Sequence, residues 1–323
     1  MGKTALVFPG QGSQRVGMGL HLLEQWPDLL DTYYRTADDI LGLPLSTLCW
    51  QGPEQSLRDT SITQPAVFLT SVATLHVLRE HGLEPDLVAG HSLGEYTALV
   101  SAGVLDWTDA LRLVRRRGEL MAAVNAQVPG RMAAVLGLDL ATVEALCAHA
   151  AEETGQAVEV ANDNEPGQVV VSGREAAVER LCRDAQDAGA VRAVVLDVGA
   201  PFHSSLMAAI EEEFAAELAG VELCAPQVPV ISGVTADLVT TADEIRGCLR
   251  RQLAGRVRWT GAVRALMGAG AEVFVEVGPG QVLSGLCRRI ASEVPVHPTH
   301  DTRRLAKTLA LAGREAAVPG AAA

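Results

Sequence analysis

The 323-residue sequence predicts an α/β fold, and three features predict it. The apolar run Leu87-Val88-Ala89 ends in Gly90-His91-Ser92-Leu93-Gly94, and Tyr96–Val100 continues at helical spacing, the pattern of a strand turning sharply into a helix. Thr4–Phe8 and Pro229–Ser232 read as further buried strands and Ala271–Val277 as another strand, consistent with a parallel sheet. Residues 131–198 follow the order β-α-β-β-α-β, a ferredoxin-like unit. The expectation is an α/β-hydrolase-like main domain with a parallel sheet and a nucleophile elbow, formed by residues 1–130 and 199–312. A ferredoxin-like subdomain is inserted at 131–198, and a disordered tail follows at 313–323.

Composition narrows the function classes. Hydrophobic residues make up 48% and charged residues 20%, a globular balance, while aromatics at 4% leave the core to aliphatics and alanine. A formal charge of −13 argues against nucleic-acid binding, so any anionic substrate must meet a local basic patch. The six cysteines contain no C-x-x-C pair, which points to neither a metal site nor a disulfide framework. The first apolar run is too short for a signal peptide, and no stretch reads as the ~20 apolar residues of a membrane span. A cytoplasmic location is therefore expected.

The elbow makes Ser92 the candidate nucleophile, because such a turn exposes Oγ and aims backbone N–H groups at what binds there. Gly90 and Gly94 suit a turn too tight for side chains. The first strand breaks into Pro9-Gly10-Gln11-Gly12-Ser13-Gln14, a loop that lacks both the G-x-G-x-x-G continuation and a Walker lysine. It reads better as an oxyanion-binding loop than as a nucleotide site. Pro65 is placed at the first turn of a helix over 66–80, with Gln64 either a pocket residue or part of its cap.

Asp106 or Thr108 is expected to cap the next helix, which carries Arg112, Arg115, Arg116 and Arg117. At 100° per residue these four cannot share one face, so at least one leans inward and needs an anionic partner. Asn162 lies after the second strand of the inserted unit, where it can face a cleft. His203, in Pro201-Phe202-His203-Ser204, is the best candidate base: it sits in a loop before a helical run and follows the serine in chain order. Thr241–Glu244 reads as a capping box.

Taken together, these residues resemble the malonyl-CoA:acyl-carrier-protein transacylase family, including the free-standing acyltransferases that serve polyketide synthases. The resemblance runs from Phe8-Pro9-Gly10-Gln11-Gly12-Ser13-Gln14 through Thr63-Gln64-Pro65, Gly90–Glu95, Arg117-Gly118, Asn162 and Phe202-His203 to Glu276-Val277-Gly278-Pro279-Gly280. It implies ping-pong transfer of a malonyl group from malonyl-CoA to the phosphopantetheine thiol of an acyl carrier protein. Coenzyme A thioester is then a substrate, with no permanently bound cofactor. Ser92 would be the nucleophile, His203 the base, and the backbone N–H groups of Gln11 and Leu93 the oxyanion hole. The backbone carbonyl of Gln252 would orient His203, and Arg117 would pair with the malonyl carboxylate. Gln64, Asn162, Phe202 and His91 would complete the substrate-binding set.

Two departures stand out. Gly233 occupies a position where relatives often carry Asn, which predicts a lost hydrogen bond near the site. Phe202 resembles the malonyl-selective form of its motif, but a methylmalonyl or ethylmalonyl unit stays open as an alternative. An acyl-carrier-protein thioester hydrolase is a second alternative, and Arg117 argues against it. The basic segments Arg250–Arg258 and Arg288–Arg289 are expected docking surface for an acidic carrier protein.

Overall fold

The computed structural model describes residues 2–315. Among them β1 (Lys3–Phe8) and β2 (Leu87–Gly90) precede four strands of the middle segment. These are β3 (Arg131–Leu136), β4 (Val158–Glu165), β5 (Gln168–Gly173) and β6 (Arg192–Val195). The chain returns through β7 (Val230–Ile231), β8 (Leu238–Val239), β9 (Ala271–Glu276) and β10 (Val296–Pro298).

One sheet runs β10-β9-β1-β2-β7-β8, parallel throughout except where β8 turns back on β7. Side chains alternate across it. Ala5, Val7, Leu87 and Ala89 enter a core with Trp259, Val263 and Leu283, while Leu6, Phe8 and Val88 enter a second core with Phe68, Tyr96 and Leu111. With both faces covered, successive residues are apolar, which is why Ala5–Phe8 and Leu87–Ala89 read as unbroken hydrophobic runs.

The second sheet runs β4-β5-β3-β6, antiparallel at every pairing. The helices Leu140–Thr154 and Glu175–Asp187 share with it a core of Ala133, Val135, Val143, Val171 and Leu181. It joins the first sheet's part of the molecule by backbone as well as side chains: Val257 N–H donates to Ala161 O (2.8 Å) and Asp163 N–H to Val257 O (2.9 Å).

Several elements depart from the sequence reading. The helix expected at 66–80 begins at Thr60, capped by the Asp59 carboxylate on Ser61 N–H, and holds Pro65 in its interior. A proline there removes the donor for the carbonyl four residues back, Ser61. Arg115 Nη1 supplies that bond instead, at 2.7 Å, so the helix continues through the proline. This helix, Thr60–Glu80, is long and apolar enough to cross a membrane by length and composition, contrary to the reading that no stretch qualifies. The structure buries 83% of its apolar window inside the fold, as the central core helix.

Asn162 falls within β4, which runs further than expected. The short strands β8 and β10 had no sequence signal. Residues 313–315 of the expected tail belong to the helix Thr302–Glu315, and 316–323 lie outside the described residues.

Candidate active site

Strand β2 hands the chain to the helix Gly94–Ser101 through a turn with Ser92 at φ 52°, a left-handed conformation that costs a side-chain-bearing residue energy. The glycines around it are sterically required. A Cβ on Gly90 would lie 2.1 Å from Glu95 N, and one on Gly94 would lie 1.9 Å from Phe8 O. The loop after β1 packs on the same elbow, since a Cβ on Gly10 would meet His91 O at 2.5 Å. This brings Gln11 beside Leu93. Neither backbone N–H donates to another group among the described residues, so both remain available to a ligand oxygen.

A cavity of about 200 Å³ gathers the expected residues Gln11, Gln64, His91, Ser92, Leu93, Arg117, Asn162, Phe202 and His203. They come from the loops after β1 and β2, two long helices, β4 and the segment that follows β6. Gln252 stands behind this lining and contacts it through hydrogen bonds. His91 points away from Ser92, its Nε2 2.9 Å from Asn164 Oδ1 and its ring edge-on to Trp259.

His203 Nε2 lies 2.8 Å from Ser92 Oγ. On the other side of the ring, Nδ1 faces two carbonyl oxygens, Gln252 O at 2.9 Å and Gly255 O at 3.1 Å. Two acceptors at Nδ1 require a proton there, leaving the Nε2 lone pair toward the serine hydroxyl. Burial first, and the Arg117 charge second, hold His203 down to about 3, so the imidazole is neutral at pH 7. The arrangement can take a proton from Ser92 without a carboxylate third member.

Of the four arginines on the helix Trp107–Gln127, Arg112 pairs with Asp109, Arg115 with Glu119, and Arg116 with Glu213 and Glu217. Arg117 is the one that turns inward, only 1% exposed. Its Nη1 donates to Gln64 Oε1 (2.7 Å), and its Nη2 to Gln252 Oε1 (3.0 Å) and Ser92 Oγ (3.1 Å). Its Nε has no hydrogen-bond partner among the described residues, and Cζ lies 5.7 Å from the centre of the Tyr96 ring. The anionic partner expected from sequence is therefore not in direct contact. Every hydrogen-bond acceptor on the guanidinium is neutral among the described residues, which leaves a buried cation at the cavity wall with no carboxylate in direct contact.

Sequence reasoning missed two parts of this network. Glu95 lay within the quoted Gly90–Glu95 run but carried no role, and Gln252 was expected to act only through its main chain. The Gln252 side chain also donates from Nε2 to Ser92 O (3.1 Å) and to Glu95 Oε2. Glu95 is 2% exposed and accepts a second bond from Gly233 N–H at 3.3 Å.

Much of the expected basic docking surface is committed internally. Arg250 pairs with Glu212, Arg256 with Glu144 and Arg289 with Glu165, while Arg288 Nη2 donates to Val296 O. No group of three His, Cys, Asp or Glu side chains that could hold a metal occurs among the described residues.

Comparison with known proteins agrees in extent as well as kind. The family model described as the acyl transferase domain matches residues 5–313. The malonyl CoA-acyl carrier protein transacylase of Escherichia coli O157:H7 is 43% identical over 312 residues, covering 96% of this chain and all of that protein. Its namesake from Bacillus subtilis strain 168 is 43% identical over 293 residues, 90% of this chain and 91% of the relative. Among solved structures, a malonyl-transacylase in complex with its type II PKS acyl-carrier protein (PlMCAT:AntF, holo) superposes with a TM-score of 0.91 at 42% identity, covering 96% and 99% of the two chains. The malonyl-CoA:acyl carrier protein transacylase of Xanthomonas oryzae pv. oryzae gives 0.91 at 42% identity, covering 96% and 98%. With a match over residues 5–313 and a serine elbow at the centre of the site, the chain belongs to the acyl transferase family, alongside the malonyl CoA-acyl carrier protein transacylases.

Proposed function

We propose that the chain transfers a malonyl group from malonyl-CoA to the phosphopantetheine thiol of an acyl carrier protein, through an acyl-serine intermediate. The observation that carries the malonyl reading is Arg117: a buried guanidinium 3.1 Å from Ser92 Oγ whose hydrogen bonds all go to neutral acceptors. A carboxylate at the far end of a short acyl group supplies the missing charge, and the planar fork suits bidentate pairing.

In the first half-reaction His203 Nε2 takes the Ser92 hydroxyl proton while Oγ attacks the thioester carbonyl. The backbone N–H groups of Gln11 and Leu93 hold the oxyanion. Collapse breaks the C–S bond, and the departing CoA thiolate takes the proton from His203. In the second half-reaction His203 accepts the pantetheine thiol proton, the sulfur attacks the acyl ester, and Ser92 Oγ leaves with that proton. Gln252 O and Gly255 O keep His203 in the required tautomer. Gln64, Asn162, His91 and Phe202 line the acyl pocket, and the clamped carboxylate leaves little space for an activated water.

The same proposal covers organisation and setting. Residues 1–130 and 199–312 form an α/β-hydrolase-like domain, a reading supported by the parallel strands and the elbow between β2 and the next helix. Residues 131–198 form a ferredoxin-like subdomain, supported by the order β4-β5-β3-β6. The printed names of the relatives and the carrier-protein complex support malonyl-CoA and acyl carrier protein as partners. Fatty-acid or polyketide synthesis in the cytoplasm is the corresponding setting, without a nucleic-acid or membrane partner.

Intact-protein mass spectrometry after incubation with malonyl-, methylmalonyl-, ethylmalonyl- or acetyl-CoA tests this. The expected result is a malonyl adduct that is absent in Ser92→Ala and passes to a holo carrier protein. A larger dicarboxylic adduct would revise the pocket, and thioester turnover without an adduct would make the protein a hydrolase.

A further inference from the structure

Glu95 is a buried carboxylate that the mechanism above does not use, and its contacts lead to the arginine that the mechanism depends on. It follows Ser92 by one turn, its backbone N–H donating to Ser92 O at 3.1 Å. Its two carboxylate oxygens accept from Gly233 N–H and Gln252 Nε2. Burial raises the pKa of Glu95, and against it the Gln252 amide, the Ser232 side chain, the Gly233 N–H and the Arg117 charge all favour the ionised form.

The Gln252 amide has two distinct ends, and its surroundings specify which way round it sits. Nε2 faces two acceptors, Ser92 O and Glu95 Oε2, so the NH₂ group must lie there. Oε1 then faces Arg117 Nη2 at 3.0 Å. With the amide reversed, its NH₂ would face the guanidinium donor and its oxygen would face the carboxylate, two repulsive contacts in a dry site. The bond to an ionised acceptor is the stronger of the two that hold Nε2. Glu95 also attracts Arg117 through space.

From this geometry we infer that Glu95 is a positioning residue for acyl selectivity: it orients the Gln252 amide, which holds Arg117 beside Ser92 ready for the substrate carboxylate. The inference rests on the reading of Arg117 as the carboxylate-binding group. It gives the Gln252 side chain a role separate from its backbone carbonyl, which serves His203. Disturbing Glu95 should therefore weaken the use of dicarboxylic acyl groups and leave neutral ones largely alone.

The test compares kcat/KM for malonyl-CoA and acetyl-CoA in the wild type and in Glu95→Gln, Arg117→Ala, the double variant and Gln252→Met. Glu95→Gln removes the charge while keeping the shape, and Gln252→Met removes the amide but retains the backbone carbonyl. The expected result in each single variant is a loss of malonyl transfer roughly tenfold or more greater than the loss of acetyl transfer. In the Arg117→Ala background, Glu95→Gln should cost nothing further, the non-additivity of residues acting through one group. Equal losses for both substrates, additive losses in the double variant, or a gain in malonyl transfer would each overturn the inference. Should Glu95→Gln not fold, Gln252→Met decides alone, and equal losses overturn it. If Arg117→Ala itself fails to separate the two substrates, the carboxylate reading of Arg117 fails first.

Discussion

At the scale of single residues, the site rests on charges placed where water cannot screen them. His203 is held neutral by burial and by Arg117, and its Nδ1 proton is fixed by two carbonyls, so its Nε2 lone pair stays toward Ser92 well below pH 7. Acyl-serine formation should then stay within about twofold between pH 8 and pH 5, measured by rapid-quench loading. An acid limb centred near the ordinary imidazole value of about 6.5 would contradict it. Arg117→Ala should cost malonyl loading several kcal/mol, on the order of 3, and acetyl loading far less, because a buried carboxylate would lose its only cationic partner. Ser92, His203 and the presence of an inward arginine were legible from punctuation and spacing. Glu95 and the Gln252 side chain were not, because 157 residues separate them and no local pattern records such a bond.

At the scale of elements, close approaches decide more than propensity. The helix Trp107–Gln127 carries Gly118 against the start of the helix Thr60–Glu80, where a Cβ would lie 2.7 Å from Thr60 O and 2.9 Å from Ser61 Cα. Gly118→Ala must push these helices apart, although alanine favours a helix. The expected loss is about 1–3 kcal/mol, read as a lower urea midpoint, with weaker malonyl loading as Arg117 leaves Gln64. By comparison, Asp106→Ala removes only the helix cap on Thr108 and Asp109, costing about 1 kcal/mol without changing acyl selectivity. The start of the helix Thr60–Glu80 was misread for a related reason. Local rules place proline in a first turn, and the carbonyl that Pro65 strands is satisfied by Arg115, from another helix.

At the scale of the whole molecule, the neutral His203 links folding to pH. Its folded value near 3 lies below the unfolded value near 6.5, so between these limits the unfolded chain binds more protons and stability falls as pH falls. From pH 7 to pH 5 this one group should cost about 2 kcal/mol. Glu95 and Glu276, both pushed up by burial, act in the opposite direction. The contribution is therefore read as a difference: wild type should lose about 2 kcal/mol more than His203→Gln across that interval in urea denaturation. Equal losses would show that His203 is protonated in the folded state. The second sheet takes part in the site as well, since Val257 pairs with β4 within the segment that supplies Gln252 O and Gly255 O to His203.

The sequence by itself determined what local geometry can encode. Strands buried on both faces show apolar runs, an elbow carries glycines where a Cβ would strike the backbone, and the helices at Asp106 and Thr241 announce their starts with a capping oxygen. These constraints act within a few residues, so they are readable in order along the chain. Only the tertiary structure decided which of four adjacent arginines is buried and that its neighbours are amides rather than acids. It alone also showed that a carboxylate one turn beyond the serine holds one of those amides. Such choices depend on which distant segments meet in a dry interior, where an unpaired charge is costly and each donor must find its acceptor.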